Sequence, residues 1–135
     1  MHGEKRVTFV WNLLRFSYGA VLLLAGLDKL FGTDLIVYWP KYLSPFVAGL
    51  LPVSTGVFLG FMGVVEIAVA ILLVTKFSRI AGYLSVAWLV LIAINLLMLD
   101  YIDIAVRDVL LAVGALALAE LTVAVEYLRF QRQTQ

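Results

Sequence analysis

Four long apolar runs, separated by short polar clusters, organise this chain. They extend from about Val7 to Phe31, Ser54 to Thr75, Phe77 to Leu99 and Ile104 to Tyr127. Each holds about 22–25 residues, close to the roughly 20 that carry a helix across a ~30 Å hydrocarbon layer. Lipid offers backbone groups no hydrogen-bond partner, and a single segment satisfies its own only as a helix. The pattern predicts an all-α, integral membrane four-helix transmembrane bundle, forming one domain over residues 1–135. The links around Lys76 and from Asp100 to Asp103 are short, so the last three runs are expected to be antiparallel neighbours. The connection from Gly32 to Val53 is long. It is apolar yet interrupted by Pro40, Pro45 and Pro52, which forbid a continuous helix. It is predicted to lie as one or two short pieces at the outer membrane interface, over the mouth of the bundle.

The first run differs from a cleaved signal peptide. Its apolar stretch exceeds the 7–15 residues of such a segment, it contains Arg15, and it lacks a small-residue cleavage site. Basic residues near the run ends set an expected orientation. Lys5 and Arg6, Lys76 and Arg79, and Arg129 and Arg132 all fall on one side, while Asp34, Asp100 and Asp103 fall on the other with Lys41. Both termini are therefore expected in the cytoplasm. Aromatic residues follow the same division: Trp11, Tyr83 and Tyr127 at the inner interface, Tyr38, Trp39, Tyr42 and Tyr101 at the outer one. Membrane anchoring is the expected role of each.

Composition narrows the chemistry. Of 135 residues 64% are hydrophobic and 14% charged, against about 25% charged in soluble domains. The mean hydropathy of +1.05 fits a chain whose solvent is largely lipid. A net charge of +1 without a basic stripe gives no case for nucleic acid. There is no cysteine, which excludes disulfides and thiol chemistry by this chain, and the single histidine, His2, is terminal. No metal site and no covalently bound or metal-held cofactor is expected.

The charges inside the runs then stand out. Arg15, Glu66, Asp108 and Glu120 lie within them and Lys29 ends the first. An unpaired charge at the bilayer centre costs roughly 2.5–3.5 kcal/mol or more. Helical spacing places Arg15, Gly19, Leu22, Gly26 and Lys29 on one stripe of the first run. Gly56, Gly60, Gly63, Ile67 and Ala70 share one on the second, with Glu66 at its margin. The third offers Ala81, Ser85, Trp88, Ile92 and Asn95, and the fourth Asp108, Ala112, Ala115, Ala119 and Thr122. Small-residue stripes allow helices to pack closely in lipid, so these are expected to face inward. Depth along the runs suggests an inner polar layer, Arg15 with Glu66 and with Glu120 and Ser85 nearby. It suggests an outer layer of Lys29 with Asp108, near Asn95, Asp28 and Arg107. Glu120, about 120° around from Asp108, has the alternative of facing a neighbouring protein. No residue is singled out as catalytic. The ion pairs are as compatible with fixing helix register as with a functional polar cavity.

Three segments resemble a known family. They are RFSYGAVLLLAGLDKLFG in the first run, GVFLGFMGVVEIAVAILL in the second and RDVLLAVGALALA in the fourth. Together, over about residues 10 to 122, they look like the DoxX-like family of small four-helix bacterial and archaeal membrane proteins, in the wider group that includes the methylamine-utilisation protein MauE. The resemblance implies a bacterial or archaeal cytoplasmic membrane. It implies that Arg15, Lys29, Glu66 and Asp108 form the family's polar core, and that the chain is a subunit associated with a quinone-linked redox or electron-transfer system. A quinone is then the small molecule to expect. The missing cysteines set this chain apart from members that work with thiols. A second reading is a non-catalytic accessory subunit packed against a larger membrane complex. A third is a small carrier acting as a homo-oligomer.

Overall fold

The computed structural model describes residues 2–135 and is all-helical, 83% helix, with no strand among the described residues. Four helices have the length and apolarity to cross a membrane: α1 (His2–Phe31), α3 (Thr55–Leu73), α4 (Ser78–Leu97) and α5 (Ile102–Gln133). The short α2 (Pro45–Leu50) and a 3-10 turn, Trp39–Tyr42, occupy the long connection. At 1.5 Å per residue, the 19 residues of α3 span about 28 Å, one hydrocarbon thickness. The 30 residues of α1 and 32 of α5 make about 45–48 Å. Both outlast their apolar runs at the end that carries the termini. There Glu4 and Arg132 form an ion pair that ties the two ends together.

Local signals explain the boundaries. Gly32, at φ 59°, closes α1: the Thr33 amide bonds back to the Asp28 carbonyl at 3.3 Å, the six-to-one bond of a left-handed helix terminus. Asp100, at φ 59°, ends the turn after α4 in the same way, with the Tyr101 amide on the Leu96 carbonyl at 3.1 Å. Ser44 and Ser54 are the N-caps of α2 and α3, their hydroxyls accepting from the amides of Val47 and Val57. Pro45 opens α2 where an amide would lack a partner anyway.

The bundle is built from two close pairs, α1 on α3 and α4 on α5, joined by looser α3–α4 and α1–α5 contacts. The close pairs meet at small residues. A Cβ on Gly26 would lie 2.7 Å from the Gly63 carbonyl oxygen, and one on Gly63 would lie 2.5 Å from that of Gly26. A Cβ on Gly82 would reach 3.0 Å from the Ala119 Cβ. The buried side chains follow the predicted stripes on α1 (Arg15, Gly19, Leu22, Gly26) and α5 (Ala112, Ala115, Ala119, Thr122). On α3 the buried stripe is shifted. Glu66 lies at its centre with Gly63, Val69, Ala70 and Leu73, while a Cβ on Gly56 or Gly60 would meet only open space. Large apolar side chains such as Phe16, Leu24, Phe61, Ile80, Leu91 and Leu110 cover the outside, as a lipid-facing surface requires.

Candidate functional site

Glu66 is the centre of a polar cluster beneath the long connection, towards the end of the bundle away from the termini. Its side chain is 2% exposed, deep among apolar neighbours. Oε1 accepts from the Lys29 ammonium at 2.6 Å and from the Trp88 indole N–H at 2.9 Å. Oε2 is buried and has no hydrogen-bond partner, the one such side-chain atom among the described residues. The Lys29 ammonium also lies 4.1 Å from the centre of the Trp39 ring, a cation–π contact.

This pairing corrects the two predicted from depth. Arg15 does not meet Glu66, and Lys29 does not bond Asp108. The reason lies in helix register and side-chain direction. A Cβ on Gly63 would lie 3.2 Å from the Lys29 Cβ and one on Gly26 3.1 Å from the Glu66 Cβ, so Lys29 and Glu66 stand about three residues, roughly 4.5 Å, apart along the pair. In a helix every side chain leans towards its own N-terminus. In this antiparallel pair, Lys29 leans back along α1 and Glu66 back along α3, each towards the other, and two long side chains close the gap. Asp108 is half-buried and, among the described residues, forms no ion pair.

The loop over this cluster is held by Asp28 and Asn95. The Asp28 carboxylate accepts from the Leu35 amide at 2.8 Å, the Ile36 amide at 3.1 Å, the Trp39 indole at 2.8 Å and the Thr33 hydroxyl. Asn95 accepts from the Ser44 amide at 2.9 Å and donates to the Tyr42 carbonyl. Asn95 therefore fastens the loop to α4 and is not a partner of Lys29 or Asp108. Through Trp39, bonded to Asp28 and stacked on Lys29, the fold of the loop is tied to the ion pair beneath it.

Arg15 lies at the opposite end of the bundle with no carboxylate in contact. Its Nε donates to the Leu73 carbonyl at 2.8 Å, its Nη2 to the Thr75 carbonyl and its Nη1 to the Asn12 side chain, both at 3.3 Å. The last carbonyls of α3 lack helical partners and carry the negative end of the helix dipole, so a cation there needs no counter-ion side chain. Its guanidinium also lies 4.1 Å from the Trp11 ring centre, with that of Arg129 at 4.8 Å, while the Trp11 indole donates to the Thr122 hydroxyl at 2.8 Å. Glu120 and Ser85 do not join Arg15 in an inner layer. Glu120 is exposed on α5 and accepts from the Tyr83 hydroxyl at 2.5 Å, and Ser85 bonds the Ala81 carbonyl of its own helix.

Trp39 and Trp88 are the members of the Glu66 cluster that sequence reasoning does not place there, whereas Asp28, expected near Lys29, is found beside it through Trp39. The two tryptophans had been assigned to the interface and to packing. A signal existed for Trp88: an indole N–H within a membrane span needs an acceptor, and few acceptors lie at its depth. Among the described residues no group of His, Asp or Glu is arranged to hold a metal ion. No protein-family model, no curated protein and no solved structure matches the chain.

Proposed function

We propose that this chain is a membrane subunit of a quinone-linked redox system, in which the outer cluster holds the headgroup of a quinol. The observation that carries the proposal is the unpartnered Oε2 of buried Glu66. A buried acceptor without a donor costs about 1–3 kcal/mol, more for a charged group. A hydroxyl from a lipid-soluble ligand relieves that cost, and a quinol brings such a hydroxyl on a ring that suits the nearby indoles of Trp39 and Trp88. The Lys29 ammonium bonds the other oxygen, Oε1, and leaves Oε2 as the acceptor. The resemblance to DoxX-like proteins agrees with this reading, as it does with a bacterial or archaeal cytoplasmic membrane. The basic residues at the end with both termini support placing that end in the cytoplasm.

The test is a titration of the purified chain with a short-tailed quinol, followed by tryptophan fluorescence. Saturable quenching is expected, weakened about tenfold in Glu66→Gln, the scale of one charge-assisted hydrogen bond. Quenching that is absent, or equal in both proteins, overturns the reading. A second reading, an accessory subunit without chemistry, draws on Glu120. A carboxylate exposed within a membrane span is expensive in lipid and suits contact with another protein. Under that reading Glu120→Gln changes recovery of a larger complex and leaves quinol binding unaltered.

A further inference from the structure

At the end of the bundle that carries the termini, α4 and α5 enclose a groove of about 470 Å³, away from the Glu66 cluster. It is lined by Lys76, Phe77, Arg79, Ile80, Tyr83 and Glu126. The walls carry opposite charges. Lys76 stands in the turn before α4, Arg79 in the first turn of α4, and Glu126 on α5. Among the described residues the ion pairs are Lys29–Glu66 and Glu4–Arg132, so these three charges have not closed on one another. Phe77, Ile80 and the Tyr83 side chain supply its apolar lining.

The heights of these groups are ordered. Gly82 packs on Ala119, which puts Arg79 level with about Thr122 and Glu126 about one helical turn farther from the bilayer centre. On the same register Lys76 falls level with about Val125, so from the bilayer outward the groove offers Ile80, then Arg79, then Lys76 at nearly the height of Glu126. We propose that it binds the headgroup of a phospholipid that carries both a phosphate and a primary ammonium, as phosphatidylethanolamine does. The phosphate meets Lys76 and Arg79, the ammonium meets Glu126, and the acyl chains run along Ile80 into the hydrocarbon. A lipid with a phosphate alone leaves Glu126 unanswered, and its negative charge opposes Glu126. A trimethylammonium headgroup has no N–H to donate. Two cations and a carboxylate in one groove select an aminophospholipid over both.

The experiment uses the full chain in nanodiscs of equal parts phosphatidylethanolamine, phosphatidylglycerol and phosphatidylcholine. Native mass spectrometry then identifies the lipid retained after release. One phosphatidylethanolamine per chain is expected, favoured over each competitor about tenfold, the effect of one charge-assisted contact. Glu126→Gln is expected to abolish the preference over phosphatidylglycerol, and Arg79→Gln to weaken retention of both. Equal retention of the three lipids overturns the proposal. So does a phosphatidylglycerol preference in the unaltered chain, or a phosphatidylethanolamine preference that survives Glu126→Gln. Glu126 is exposed, so its variant keeps the test decisive even where Arg79→Gln fails to insert.

Discussion

Lys29 and Glu66 carry opposite charges in a setting where neither can stand alone. Their side chains are 9% and 2% exposed, and water is not at hand to replace a lost partner. Lys29→Met is expected to destabilise the bundle by about 3–5 kcal/mol, because Glu66 then keeps a buried charge with only the Trp88 N–H to meet it. The double variant Lys29→Met/Glu66→Leu is expected to recover most of that loss, since an apolar pair of similar size asks for no counter-charge. Reversible unfolding in mixed micelles measures both, and a double variant no more stable than Lys29→Met contradicts the argument. Arg15 presents a different case. Its partners at the end of α3 and in the turn beyond are main-chain carbonyls, which no substitution removes, so Arg15→Met has no equivalent rescue there.

At the scale of the elements, contact between α1 and α3 depends on two glycines whose backbones touch. Gly63→Ala would place a methyl 2.5 Å from the Gly26 carbonyl oxygen, and main chain cannot step aside as a flexible side chain can. A loss of about 1–3 kcal/mol is expected from the overpacking. Gly60→Ala on the same helix, with nothing within 4 Å, is expected to be neutral or to gain up to about 1 kcal/mol from helix propensity. The same unfolding measurement compares them, and equal effects would refute the role given to close approach. The outer loop depends on Asn95. Asn95→Ala removes its two bonds to the loop, at Ser44 and at Tyr42, and leaves the buried Ser44 amide and the half-buried Tyr42 carbonyl without them. Hydrogen exchange over residues 39–50 is expected to quicken while the centres of α3 and α4 stay protected. Unchanged exchange in the loop would show that Asp28 holds it unaided.

For the molecule as a whole, four antiparallel crossings return the chain to the side where it began, and the Glu4–Arg132 pair shows the two ends side by side. Single cysteines at Lys5 and Gln135 are therefore expected to react with a membrane-impermeant reagent from one side, and a cysteine at Lys41 from the other. Labelling of Lys5 and Gln135 from opposite sides would require an odd number of crossings and a different fold. The proposed quinol centre and the lipid groove lie towards opposite ends of this arrangement. Substitutions at Glu66 and at Glu126 are thus expected to act independently on ligand and lipid binding, because they share no contact.

The sequence by itself determined that this is a four-helix membrane bundle, since apolar runs of bilayer length have one backbone solution in lipid. It also determined the inward stripes of α1 and α5, which follow from 3.6 residues per turn. It could not determine which charges meet. Counting depth from the end of each apolar run matches Arg15 with Glu66. However, α1 extends to His2, beyond its apolar run, and helix ends are set by capping and by the polar overhang. The shift of α3 that puts Glu66 at the centre of its stripe and opens Gly56 and Gly60 was likewise invisible. It depends on the height at which Gly26 meets Gly63, a contact between residues 37 positions apart. Only the tertiary structure decided that register. With it came the pairing of Lys29 with Glu66, the carbonyl partners of Arg15 and the single carboxylate oxygen left without a donor.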